Sequence, residues 1–268
     1  MMKPIFFTKM EGTGNNFLVI DNRNGYLTVN VVSQTVNEFV KDLANCQLGA
    51  GSDGVILLEQ SADYPFEMRY FNRDGSEAVA CLNGARCVVS YAFRLGLLRD
   101  KGRFASASGP IGYYYRDGDV SIEVPPPVDV KMNFSFTVSR KKYSVNFLRV
   151  GVPHCVIFVD DPEKVDVKTL GKAIRNHKTF KPEGTNVDFV KVEKDNMHVR
   201  TYERGVEDET LSCGSGALAS AYIATKLFMV QSPVICRTSG GELIATIKDK
   251  LYLEGPTRYV YDGVYYIE

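Results

Sequence analysis

The chain has no excess of charge. Its 32 Lys and Arg are matched by 32 Asp and Glu over 268 residues, a formal net charge of zero. A nucleic-acid or general polyanion binder needs surplus cations, so that class is set aside. Long apolar runs are missing too, and nothing approaches the roughly 18 residues of a membrane-spanning helix. The opening residues, Met-Met-Lys-Pro-Ile-Phe-Phe-Thr-Lys, lack the apolar centre of a secretory leader. Cysteines number six, with no Cys-x-x-Cys pair, which argues against a disulfide scaffold or a zinc ribbon. The three histidines show no ligand spacing, so no metal is expected. There is no Walker-type phosphate loop, and Gly12-Thr-Gly14-Asn-Asn-Phe17 lacks the third glycine of a dinucleotide fingerprint. These absences lead to an expectation of a cytoplasmic protein with reduced thiols and no cofactor.

What is present is a foldable, strand-rich composition: 44% apolar and 11% aromatic residues, enough for one large or two small domains. Short β-branched and aromatic runs recur, among them Phe17–Asp21, Gly54–Glu59, Phe66–Asn72, Val156–Asp160, Asn186–Val192 and His198–Tyr202. Arg116-Asp117-Gly118-Asp119 and Lys248-Asp249-Lys250 mark hairpin turns. Helices are fewer. Val31–Leu43 with Asn30 as cap and Asp166–Phe180 with Asp166 as cap are amphipathic. Asn83–Leu95, closed by Gly96, and Ser215–Phe228 are apolar on nearly every face, the mark of buried helices inside a wrapped sheet. Pro125-Pro126-Pro127 cannot continue a strand ladder, and a two-lobe boundary is placed there.

Four stretches recur in the same order on both sides of that boundary. Gly12–Asp21 resembles Gly151–Asp160, each running from glycine through a polar turn into an apolar strand that ends in Asp. Gly49–Glu59 resembles Gly184–Glu193, and Arg69–Arg73 resembles Arg200–Arg204. Cys81-Leu-Asn-Gly84-Ala85 resembles Cys213-Gly-Ser-Gly216-Ala217. The shared order points to two homologous lobes, and duplicated lobes leave a cleft between copies.

Cys81 and Cys213 are then equivalent, each on the turn before a buried helix. Unpaired N–H groups and the dipole at a helix start lower a thiol pKa and bind anions. Gly84, Ala85, Gly214, Ser215 and Gly216 are small enough for close approach of a ligand. Two such turns facing one cleft would hold a carboxylate and set a sulfur on each side of the carbon beside it. One thiolate removes the α-proton while the opposite thiol protonates the other face, and the centre inverts. A lone cysteine is most often an inert core residue, and Cys46, Cys87, Cys155 and Cys236, which have no repeat partner, are read that way. Two facing thiols also predict reversible inactivation by mild oxidant.

At this point the residues resemble the diaminopimelate epimerase family, pyridoxal-phosphate-independent enzymes of lysine and peptidoglycan precursor biosynthesis. The resemblance runs through Phe7–Phe17, Gly51-Ser-Asp53-Gly-Val, Arg69–Glu77, Cys81-Leu-Asn-Gly-Ala-Arg-Cys87, Gly151-Val-Pro-His154, Gly184-Thr-Asn186-Val-Asp-Phe-Val and Tyr202–Gly216. It implies an α+β fold of two lobes, each a β-barrel-like sheet around a central helix, with the last strand returning to the first lobe. The lobes would be residues 1–124 plus 258–268 and residues 128–257. It also implies a homodimer and a small amino-acid substrate, LL-2,6-diaminopimelate, converted to the meso form. Cys81 and Cys213 would be the acid/base pair. The N–H groups near Leu82, Asn83, Gly214 and Ser215 would hold the reacting carboxylate. Asn15 and Glu203 would orient the substrate, with His154 close by, and Asn72, Asn186 and Arg204 would hold the distal end.

The chain departs from the family pattern at Leu82, where glycine is usual, at Val152, where Asn is frequent, and at Asn16, where Asp is usual. A left-handed backbone at Leu82 would crowd the turn, and Val152 removes a polar contact at the distal end. Two alternatives stay open: a broader cofactor-independent amino-acid racemase, and a non-catalytic binding protein on the same fold.

Overall fold

The computed structural model describes residues 2–31, 34–79, 81–194 and 196–267. It divides into two compact units, Met1–Ile122 with Gly255–Glu268, and Glu123–Glu254. In the first unit, strand Arg258–Ile267 pairs antiparallel with Lys3–Gly12, which pairs antiparallel with Asn15–Asp21. Asn15–Asp21 runs parallel to Gly54–Glu59, then Glu67–Asn72 pairs antiparallel and Lys101–Ser106 parallel to it. The hairpin strands Ile111–Arg116 and Asp119–Val124 complete the order. In the hairpin turn, Asp117 and Gly118 both have positive φ, 52° and 97°, as the Asp-Gly pair anticipates.

The second unit repeats this sequence of pairings. Val128–Val138 is antiparallel to Lys141–Val150, which is antiparallel to Val152–Phe158. Val152–Phe158 is parallel to Asn186–Glu193, followed by Asn196–Glu203 antiparallel and Val234–Thr238 parallel. Gly241–Ile247 and Leu251–Pro256 close the order. All four sequence matches sit at equivalent places in this scheme, so the duplication read from the sequence is a duplication of topology.

In each unit one apolar helix packs on one face of the sheet and one amphipathic helix on the other. Leu82–Arg94 lies against Lys3–Gly12, Asn15–Asp21, Gly54–Glu59 and Glu67–Asn72. On the opposite face Phe39, Val40 and Leu43 pack with Ile5, Leu18, Ile20, Val55 and Leu57. Covering both faces explains the continuous apolar run of Gly54–Glu59: Val55 and Leu57 face one helix, and the Ile56 side chain meets the other beside Gly84. The second unit matches, with Gly214–Lys226 on one face. Helix Val167–Arg175 on the other face joins the cluster containing Cys155, Ile157, Val187, Phe189 and Tyr202.

Several boundaries differ from the sequence expectations. The first amphipathic helix spans Val36–Ala44 rather than Val31–Leu43, and Thr35, not Asn30, is its cap. The capping box explains this: Glu38 N–H donates to Thr35 Oγ1, and the Thr35 N–H donates to the Glu38 carboxylate. Residues 32 and 33 of the expected helix lie outside the described residues. Asp166 caps as expected, accepting from the Thr169 N–H, but its helix ends at Arg175 and Lys178–Phe180 forms a separate 3₁₀ turn. The buried helices begin one residue earlier than expected, at Leu82 and Gly214. Strand Val128–Val138 has no counterpart in the sequence reading, although its apolar and polar residues alternate, because the triple proline just before it reads as a linker. Positive φ at Asp129 and Asn133 accompanies irregular register against its partner. Among the described residues no helix is long and apolar enough to cross a membrane.

Candidate active site

Cys81 and Cys213 occupy the same local structure. Each is the N-cap of its buried helix, with extended backbone at φ −126°, ψ 118° and φ −121°, ψ 107° respectively. Each carbonyl accepts the first intrahelical bond, from Ala85 N–H at 2.7 Å and from Ala217 N–H at 2.9 Å. In neither case does the cysteine side chain cap the helix. Sulfur is a weak acceptor, so these turns leave N–H groups of the first helical turn for an incoming anion. Leu82 is the first helical residue and is absent from the positive-φ set, so the crowding that a left-handed turn would bring does not arise.

In the first unit the Cys81 turn is supported from beneath. Asn83 is buried, and its Nδ2 donates to Asn15 Oδ1 at 2.6 Å. Arg86, also buried, donates from Nη1 to Asn83 Oδ1 at 2.9 Å and from Nη2 to Thr13 Oγ1 at 2.7 Å. Thr13 itself holds a positive φ of 54°. Asn15, Asn83 and the Cys81 turn are thus joined. Asn72 is not part of this network: its Nδ2 donates to Ser76 Oγ at 3.0 Å in its own turn.

In the second unit a chain of polar side chains leads to Cys213. His154 Nδ1 lies 2.8 Å from Asp188 Oδ2, and both residues are fully buried. The carboxylate can only accept, so Nδ1–H donates to it, and in a neutral ring Nε2 is then the acceptor. Nε2 is 3.0 Å from Ser215 Oγ, and Ser215 Oγ is 3.5 Å from Cys213 Sγ. While Cys213 is a thiol the donors can run one way: Cys213 S–H to Ser215 Oγ, Ser215 O–H to His154 Nε2, His154 Nδ1–H to Asp188. Thr201 Oγ1 donates to Asp188 Oδ1 at 2.8 Å and fixes the carboxylate. Asn186 Nδ2 stands 3.4 Å from His154 Nε2, and its Oδ1 accepts the Arg204 N–H at 2.7 Å. Glu203 Oε2 accepts from Thr210 Oγ1 at 2.9 Å, and Arg204 Nη1 donates to Glu183 Oε1 at 3.0 Å.

Burial and the carboxylates of Glu203 and Asp188 push the Cys213 thiol well above its ordinary range, while Ser215 and the Gly216 N–H, which favour the thiolate, act the other way. Burial also raises Cys87 and Cys155, and takes Cys236 up to about 12. No disulfide links any of the six cysteines. Among the described residues no group of three or more His, Cys, Asp or Glu could hold a metal ion.

Sequence reasoning missed Arg86, Asp188 and Thr13 as parts of these networks. The signal for two of them was there: a cation inside an apolar helix, and an acid inside the apolar run Val187-Asp188-Phe189-Val190.

Comparison with known proteins agrees with the duplicated topology. A family model described as diaminopimelate epimerase matches residues 7–123 and 147–260. A diaminopimelate epimerase of Hydrogenobaculum sp. (strain Y04AAS1) is 38% identical over 271 residues, covering 97% of this chain and 98% of the relative. One from Methanocella arvoryzae is 40% identical over 276 residues, covering 98% and 97%. Among solved structures, a Bacillus anthracis phenazine biosynthesis protein of the PhzF family superposes with a TM-score of 0.75. It spans 99% of this chain and 100% of its own at 14% identity, a likeness of fold alone.

Proposed function

The chain belongs to the diaminopimelate epimerase family, and from that premise we propose that it inverts one α-carbon of LL-2,6-diaminopimelate to give the meso form, with Cys81 and Cys213 as its two proton carriers. The observation that carries this reading is the pair of cysteines at matched N-cap positions of two duplicated units, with nearly the same φ and ψ. One cysteine as thiolate takes the α-proton. The C–H electron pair passes into the α-carboxylate, which the N–H groups of Leu82, Asn83, Gly214 and Ser215 stabilise. The other cysteine as thiol donates its proton to the opposite face, and the centre is inverted. The wire from Cys213 through Ser215 and His154 to Asp188 supplies a route for exchanging that thiol's proton.

Asn15, through its bond with Asn83, and Glu203 orient the reacting end in this reading, while Asn72, Asn186 and Arg204 hold the distal amino acid. Arg204 meets Glu183 through Nη1, which leaves its other nitrogens for a carboxylate of the substrate. We further propose a cytoplasmic homodimer. The dimer is supported by exposed apolar side chains on two paired strands, Phe6 opposite Val264 with Tyr266 two residues on.

The test is conversion of LL-diaminopimelate followed by chiral analysis, with kcat/KM compared for lysine, ornithine and glutamate. The reading predicts conversion to a mixture with the meso isomer and rejection of substrates lacking the distal amino-acid group, since the polar side chains that bind it would be left unpaired. Comparable turnover of lysine or ornithine would favour a broad racemase, and no turnover of any of them would favour a binding protein.

A further inference from the structure

Arg86 is a buried cation that the epimerisation chemistry above leaves unused. Its hydrogen bonds go to neutral oxygens, those of Asn83 and Thr13, and its Nε has no partner among the described residues. A guanidinium stays protonated, and a charge so deeply buried is costly without a counter-charge. The titratable groups around it are Cys87, Cys81 and Glu11. Glu11 already takes the Gly14 N–H and sits 3.5 Å from Arg258 Nε. Cys87 is sealed in the core, where burial keeps it protonated.

Cys81 is the remaining candidate. Helical side chains lean towards the N-terminus, and the bond from Arg86 to Asn83, three residues back, shows that the guanidinium lies under the first turn. Its charge therefore adds to the positive end of the helix dipole at Cys81. At the equivalent place in the other unit no such cation stands. Cys213 is faced by the carboxylates of Glu203 and Asp188, with His154 held by Asp188 behind Ser215.

We propose that Arg86 is a positioning residue that holds Cys81 as the resting thiolate, while the carboxylates around Cys213 hold that group as the resting thiol. The consequence for turnover rests on the two-thiol epimerase reading: the resting enzyme has Cys81 ready as base and Cys213 as acid for one direction, and the reverse direction starts from the opposite charge state. The charge assignment itself does not depend on which substrate is bound.

The test is alkylation of the full-length protein with iodoacetamide across a pH series, each cysteine peptide followed by mass spectrometry, with exposed Cys46 as the reagent reference. The readout is the pH midpoint of each profile, so differences in access do not confound it. In the unaltered protein the Cys81 midpoint should lie below that of Cys213 by about one unit or more. Arg86→Gln should raise the Cys81 midpoint by about one to two units and leave Cys213 in place, whereas Arg86→Lys should keep most of the original value. A Cys213 midpoint at or below that of Cys81 in the unaltered protein overturns the proposal, as does an Arg86→Gln profile unchanged at Cys81. If Arg86→Gln fails to fold, the order of midpoints in the unaltered protein decides alone. Epimerisation is assayed in parallel. Expected midpoints without turnover would sink the epimerase reading and keep the charge assignment, and turnover with reversed midpoints would sink only the latter.

Discussion

The turn at Cys81 and the turn at Cys213 share a backbone and differ in what surrounds the sulfur. Beside Cys81 the buried charge is a guanidinium, held by Asn83 and Thr13. Around Cys213 stand two carboxylates, one of them fastened to His154 and Thr201. Duplication preserved the N-cap geometry and the helix behind it, and side-chain replacement then gave the two copies opposite fields. Two identical groups would compete for one proton on equal terms. Two groups in opposite fields have assigned roles before substrate arrives.

The comparison can be broken most severely at the sulfurs. Cys81→Ser and Cys213→Ser should each lower kcat by about 10³-fold or more, because a serine hydroxyl does not ionise near neutral pH. The chiral assay reads both, and retention of activity in either variant would mean that the copies do not act as a pair. Next comes the wire on one side only. Asp188→Asn removes the charge that orients His154 and should lower kcat by about 10- to 100-fold. It should also lower the alkylation midpoint of Cys213, since a negative neighbour is gone, and leave that of Cys81 unmoved.

A smaller contrast lies at the equivalent glycines Gly84 and Gly216. A Cβ at Gly216 would run into Asp188 Oδ1, part of a carboxylate pinned from two directions. A Cβ at Gly84 would meet the Ile56 Cδ1 methyl at 3.0 Å, the far end of a flexible side chain. Gly216→Ala should therefore cost about 2–3 kcal/mol of stability, whereas Gly84→Ala should stay within about 1 kcal/mol because gained helix propensity offsets the squeeze. Thermal melts distinguish them, and equal shifts would contradict the asymmetry. The smallest effect is expected at Leu82. Its backbone is already helical, so Leu82→Gly keeps the N–H in place; it should cost up to about 1 kcal/mol of stability and change kcat by less than about threefold.

Much of this was legible in the sequence. The repeat of Cys81–Ala85 in Cys213–Ala217 located the two turns, and the apolar faces of both following helices placed them against a sheet. The four ordered matches anticipated the shared topology. Other features were hidden for physical reasons. Val128–Val138 does alternate apolar and polar residues, but it starts directly after Pro125-Pro126-Pro127, which reads as a break, and its first six residues are exposed on both faces. The start of the first amphipathic helix was misplaced because a capping box at Thr35 and Glu38 outweighs an isolated Asn30. Arg86 and Asp188 are single charges in apolar segments, and their meaning depends on contacts with Thr13 and His154, 73 and 34 residues away in the chain. Leu82 would have crowded its turn only with a positive φ, and its backbone is ordinary helix.

The most direct test of two thiols acting from opposite sides is the fate of the α-hydrogen in deuterium oxide. LL-diaminopimelate is incubated with the enzyme to low conversion, and substrate and product are separated and weighed by mass spectrometry. The account predicts deuterium at the inverted centre of the meso product and none in the recovered substrate, since removal and return use different sulfurs. Deuterium appearing in the recovered substrate as fast as in the product would mean that one group serves both faces, and would contradict it.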